Sequence, residues 1–284
     1  MSAAGADVVV ASDVVFSTPE GFRPLSLDLY LPAVPAAPRA VCVYLHGGGW
    51  RVGSRRQGPG PLNPTSSRLF SRMARSGLAV ASVDYRLSAE ARFPAQQEDV
   101  RAACSFLDTR RAELGLGIGG LVLFGVSAGG HLAALHALTN TNGPAIHAVA
   151  AWYPVIDLAA MPDDLDQAGA SADRGPSSRE ARFLGGAAAD LPDLAWAASP
   201  VNHVTSAAPP FLLVHGDQDT AVPPRQSVRL ERALAAAGVA VRLELVPGQG
   251  HMFPGLTESE VDGWVDHTTE FLLSPTGWDA TLPA

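Results

Sequence analysis

Lysine is missing from this chain: all 20 basic residues are arginine, set against 28 acidic residues for a formal charge of −8. That absence removes chemistry that depends on a lysine amine: Schiff bases, a serine–lysine dyad and the phosphate-gripping lysine of a P-loop. The acidic balance argues against nucleic acid or an anionic membrane as the main partner. Cysteine is scarce too. Cys42 falls in an apolar strand-like run and Cys104 in a helical pattern, so no disulfide framework is expected and both read as small buried hydrophobes. No apolar run approaches the length of a membrane span, and Met1 to Val10 has neither a basic start nor a long apolar stretch. The expectation is a soluble cytoplasmic protein.

What is present is apolar residue in quantity: 47% of 284 residues are hydrophobic, ample for one large core. Short strands are expected over 8–15 and 25–31, parted by a turn at Pro19 to Gly21 and forming an antiparallel edge. A proline-rich link, Pro32 to Pro38, leads to the nearly unbroken apolar run Ala40 to Leu45, as in a strand buried on both faces. Further strands are read at 79–84, 121–124, 146–152, 211–215 and 241–246. Helical spacing marks 66–76, 96–111, 128–138, 225–237 and 258–272, and the tail after Pro275 is expected to be loosely ordered. Strands alternating with helices imply a mostly parallel central sheet with helices on both faces, in a single domain over 1–284.

Between about 154 and 200 the periodicity fades. This span is read as a cap-like insertion over the loop edge of the sheet, with one helical fragment near Arg179 to Leu184. Its acidic trio Asp163, Asp164 and Asp166 lacks ligand spacing and is read as a solvated loop face, not a metal site.

Chemistry gathers around Gly125-Val126-Ser127-Ala128-Gly129-Gly130, between the apolar run 121–124 and a helical stretch. A serine between glycines at a strand-to-helix switch suits a nucleophile elbow, a turn tight enough to lift the hydroxyl above the sheet. Ser127 is therefore the candidate nucleophile. Serine needs a base, most often a histidine held by a carboxylate. His251, in a short loop after a strand, is the best placed of eight histidines, and Asp217 and Asp219 both follow strand 211–215. Asp219 is taken as the acid, with Asp217 as the fallback that turns the loop. The glycine-rich loop His46-Gly47-Gly48-Gly49-Trp50 offers side-chain-free amides at Gly48 and Gly49, and the Ala128 amide opens a helix, so these three are candidate oxyanion donors. His46 is read as a brace for that loop, and His131 and His136, five apart, share no helix face for a metal. Trp50 and Phe253 adjoin these loops and are candidate substrate-binding residues; Trp152, Tyr153 and Trp196 read equally well as core or as pocket walls.

These segments, with Asp84 to Ser88, Phe93-Pro94-Ala95, His215 to Asp219 and Val222-Pro223, run in order over roughly residues 40–255. In them the chain resembles the α/β-hydrolase superfamily, and within it carboxylesterases related to hormone-sensitive lipase and bacterial feruloyl-esterase-like enzymes. The resemblance implies an α/β-hydrolase fold with Ser127, Asp219 and His251 as triad and Gly48, Gly49 and Ala128 as oxyanion hole. It departs at Val126, where these families often carry an acidic residue. The activity implied is hydrolysis of small to medium carboxylic esters through an acyl-enzyme, with no metal or cofactor. An amide hydrolase of formamidase or aminopeptidase type would use the same triad, and a non-catalytic ligand-binding module is the reading from another class. The expected partner is a small-molecule ester; the oligomeric state is left open, a homodimer included.

Overall fold

The computed structural model describes residues 8–33, 38–59, 66–170, 173 and 175–275. Eight strands, β1 (Val8–Ser17), β2 (Leu25–Pro32), β3 (Ala40–Leu45), β4 (Leu78–Val83), β5 (Leu121–Val126), β6 (Ile146–Trp152), β7 (Phe211–Gly216) and β8 (Val241–Val246), build one sheet. Its order is β1-β2-β4-β3-β5-β6-β7-β8. The β1–β2 and β2–β4 pairs are antiparallel and the other five are parallel. A short turn joins β1 to β2, whereas most later strands are separated by helices long enough for a parallel crossover.

The central strands are apolar without alternation because both of their faces are covered. In β3 all six residues are buried. Val41, Val43 and Leu45 point into one core and Cys42 and Tyr44 into the other. The first core is completed by α2 (Ala95–Thr109), α4 (Ala128–Thr139) and α8 (Arg225–Ala236), and the second by α1 (Ser66–Arg75) and α9 (Glu258–Leu273). Burying each such Val, Leu or Phe stabilises by about 1.5–3 kcal/mol, so a polar substitution in β3 would strike whichever layer that side chain faces.

In the helical elements the structure departs from the sequence expectation at three points. The helix expected over 96–111 breaks at Arg110, and a single turn, α3 (Arg111–Leu114), follows α2. The 154–200 span contains three short helices, α5 (Met161–Gln167), α6 (Arg179–Leu184) and α7 (Pro192–Ala197), of which only α6 had been anticipated. The acidic trio lies on α5 and not on a loop; Asp163 and Asp166 are exposed as expected, but Asp164 is not. Asp164 is 2% exposed, accepts from Gln226 and pairs with Arg229 at 2.8 Å. The tail after Pro275 and most of the proline-rich link lie outside the described residues. Among the described residues no helix is long and apolar enough to cross a membrane.

Candidate active site

Strands β3, β5, β7 and β8 end at one edge of the sheet, where an open parallel sheet binds ligands. Pairing of Leu45 with Gly125 sets the His46 loop beside the turn after β5, and pairing of Gly216 with Val246 sets the 217–219 loop beside 247–251.

Ser127 occupies that turn with φ 52° and ψ −119°. This strained conformation persists because the surroundings leave no alternative: a Cβ at Gly125 would lie 2.2 Å from the Gly129 carbonyl oxygen, and one at Gly129 would lie 2.0 Å from that of Leu45. The Ser127 amide donates to the Trp152 carbonyl at 2.8 Å and its own carbonyl accepts from His131, fixing the hydroxyl above the sheet.

That hydroxyl is 3.0 Å from His251 Nε2, and His251 Nδ1 is 2.6 Å from Asp219 Oδ2. Nδ1 facing a carboxylate must carry the proton, which leaves the Nε2 lone pair for the serine O–H. Burial alone would raise the Asp219 carboxyl. Contacts with His215, at 3.4 Å, and His251, at 2.6 Å, outweigh burial and hold it well below the usual carboxylate range. Its other oxygen accepts from the Ala221 and Val222 amides, so the acid is locked from both sides. Asp217 accepts instead from the Gly248 amide at 2.7 Å, fastening the two loops together.

The cleft above Ser127 has a volume of about 300 Å³ and is walled by Gly47, Gly48, Gly49, Val126, Tyr153, Arg179 and Met252 among others. The amides of Gly48, Gly49 and Ala128 donate to no other described residue, and Gly48 and Gly49 line the cleft. The Tyr153 ring meets the His251 ring edge-on, with centroids 4.9 Å apart.

Trp50 and Phe253 need correction as substrate-binding residues, for they are 1% and 0% exposed and neither lines the cleft. Positive φ values of 56° at both turn the side chains inward. Trp50 stacks on Phe183 at 4.4 Å and donates to His131 Nδ1, while Phe253 packs on Trp152 and Tyr153. They anchor the catalytic loops. His131 bridges further, donating from Nε2 to the Ala198 carbonyl at 2.7 Å; burial pulls it down to about 4, so it stays neutral.

The Asp84 to Arg86 motif has scaffolding roles. Asp84 and Asp28 hold Arg55, Tyr85 donates to the His46 carbonyl and stacks on the His46 ring at 4.2 Å, and Arg86 grips Asp99 on α2. His46 in turn lies 2.7 Å from the Gly47 carbonyl, a brace for the glycine loop.

Sequence reasoning missed Arg179, Val52, Gln57 and Met252 as cleft residues. Arg179 opens a helical fragment in a span without motifs, and nothing in one dimension links it to Ser127. A larger cavity, about 480 Å³, lies within the 154–200 span between α5, α6 and α7 and is walled largely by alanine, leucine, methionine and proline, with Trp196 at its side. Among the described residues no group of three or more histidine, cysteine or carboxylate side chains could hold a metal.

Comparison with known proteins places this geometry in context. Esterase LipQ of Mycobacterium tuberculosis is 32% identical over 247 residues, which are 82% of this chain and 55% of that protein. Ethyl acetate hydrolase of Pseudomonas putida is 30% identical over 250 residues, 85% of this chain and 75% of that protein. The chain thus spans about half the length of LipQ and of esterase LipC. In structure, a truncated carbohydrate esterase from gut microbiota superposes with a TM-score of 0.79 at 26% identity, covering 95% of this chain and 97% of that one. The fold is that of the α/β-hydrolases, and with the BD-FAE profile matching residues 27–234, the chain belongs to the BD-FAE family.

Proposed function

We propose that this protein is a serine carboxylesterase that hydrolyses small to medium carboxylic esters through an acyl-enzyme. The observation that carries the proposal is the unbroken chain from Ser127 through His251 to Asp219, at 3.0 and 2.6 Å, beneath a cleft walled by the free amides of Gly48 and Gly49. The esterases and ethyl acetate hydrolase among its relatives support the same reading.

In the first step His251 Nε2 takes the Ser127 proton as the oxygen attacks the ester carbonyl, and ionised Asp219 stabilises the imidazolium. The Gly48, Gly49 and Ala128 amides receive the oxyanion, each such donor contributing about 2.7–4 kcal/mol to the barrier reduction. Collapse expels the alcohol, which leaves with the proton from His251. Water then repeats the sequence on the acyl-enzyme, releasing the acid and restoring the serine. No step needs a metal or cofactor.

The test is a panel of esters of increasing acyl length on purified protein, run beside N-formyl amines and aminoacyl amides. Esters should be turned over fastest, with the optimum at short acyl chains given a cleft of about 300 Å³. Faster turnover of the amides would replace this reading with an amide hydrolase, and failure of a fluorophosphonate to label Ser127 would point to an inert site. The cytoplasm is kept as its compartment, in line with Cys42 and Cys104 both free and buried; fractionation of the native host tests this.

A further inference from the structure

The catalytic cleft contains one arginine and, among its described walls, no carboxylate. That arginine, Arg179, shares the wall with Ser127 and His251. Its stem rests on Gly49, where a Cβ would come within 2.7 Å of Arg179 Cδ. Its Nη2 donates to the Ala221 carbonyl at 2.8 Å, and its Nε forms a loose ion pair with Glu180 at 3.7 Å, longer than a hydrogen bond. Nη1 has no partner among the described residues. At 30% side-chain exposure the guanidinium is partly desolvated yet within reach of a ligand.

Helix stability does not account for this placement. Arg179 is the first residue of α6, where the helix dipole disfavours a cation. Beyond Val52, which walls both spaces, a groove of about 430 Å³ is lined by Arg51, Arg92 and Arg182. None of these three forms an ion pair among the described residues, although many of the other arginines do. Arg182 donates to the Ser177 carbonyl, and Asp173, which senses the Arg182 charge, is already held by Ser177 and the Gly175 amide. A local excess of positive charge at the mouth of the cleft is unexpected in a chain of net charge −8.

We infer that the cleft selects esters whose acyl or alcohol part carries a carboxylate, which Arg179 pairs with, while Arg51, Arg92 and Arg182 draw the anion to the mouth. This rests on the esterase reading and adds a substrate class to it. A guanidinium with unused donors, held in place before the ligand arrives, loses little freedom on pairing with a carboxylate, and its partial burial strengthens the pair.

The experiment compares two matched pairs: monoethyl succinate against ethyl succinamate for a charge on the acyl side, and acetoxyacetate against acetoxyacetamide for a charge on the alcohol side. The charged member of one pair should have the higher kcat/KM, and the pair that shows it identifies the side. In Arg179→Gln the charged-to-neutral ratio should fall by about ten- to a hundredfold, mainly through KM, with partial recovery in Arg179→Lys. Arg92→Glu should lower kcat/KM for the charged ester by a smaller factor that vanishes at high salt. If Arg179 only ties α6 to the Asp219 loop, Arg179→Gln depresses both members equally; an unmoved ratio, or a wild-type preference for the neutral esters, overturns the inference. Should no ester turn over, the esterase reading falls by itself. Calorimetric binding of monoethyl succinate and ethyl succinamate to Ser127→Ala still decides the contact, with equal affinities counting against it.

Discussion

The cavity within the 154–200 span lacks the machinery that the catalytic cleft has. The cavity among α5, α6 and α7 holds about 480 Å³ and the catalytic cleft about 300 Å³. Yet the larger is walled by short helices and has no serine–histidine pair, whereas the smaller lies where four strand ends deliver a nucleophile, a base, an acid and free amides. Volume marks where a molecule fits; convergence of fixed polar groups marks where a bond can break. One space lies among short helices, and the other where the sheet aims its loops.

The sharpest way to break this contrast is to remove the nucleophile. Ser127→Ala should cut ester turnover by about four to six orders of magnitude with the melting temperature nearly unchanged, read by initial rates and thermal denaturation. Next comes Asp219→Asn, which retains shape but lets His251 adopt the wrong tautomer; a loss of about 10⁴ in kcat is expected, and a loss below tenfold would remove Asp219 from the triad.

Acid supplies a third test, one that acts on the scaffold. Burial pulls His46, His131 and His136 each down to about 4, so they stay neutral in the fold while the unfolded chain protonates near 6.5. Between those values the unfolded state binds more protons, so stability falls as pH drops from about 6.5 to 4, by several kcal/mol in total. The depressed Asp219 carboxyl does not offset this, since its contribution persists above the ordinary carboxylate range and is lost only at lower pH. Denaturant midpoints measured across that window should move steadily downward; a flat profile would contradict neutral burial. The smallest effect belongs to the larger cavity, where Ala188→Leu should alter kcat/KM by less than about twofold. A tenfold change would make that cavity part of the catalytic unit.

The same contrast divides what could be read in one dimension from what could not. The sheet was legible because apolar runs such as Ala40 to Leu45 and Leu121 to Phe124 are short, unbroken and spaced by helical patterns. The meeting of Ser127, Asp219 and His251 was anticipated because each follows a strand, and parallel strands present their ends at one edge. Asp164 misled because its partners, Gln226 and Arg229, lie more than sixty residues away, and a buried ion pair looks like solvated charge until both ends are placed. Trp50 and Phe253 misled because adjacency to a catalytic loop says nothing about direction, and a positive φ sent both rings into the core. Arg179 was legible as the start of a helix but not as a cleft residue, since the span that carries it packs by fit and not by periodicity.

One consequence follows from where the triad members hang. The serine rises from β5, in the middle of the sheet, but the histidine hangs from the loop after β8, an outermost strand with partly exposed residues and a single neighbour. Warming should loosen that border before the centre gives way. Catalysis would then fade reversibly several degrees below the temperature at which the tryptophan core melts, because the proton acceptor drifts off while its hydroxyl partner stays rigidly mounted. Activity and intrinsic fluorescence followed on one heating ramp would show the two curves parting.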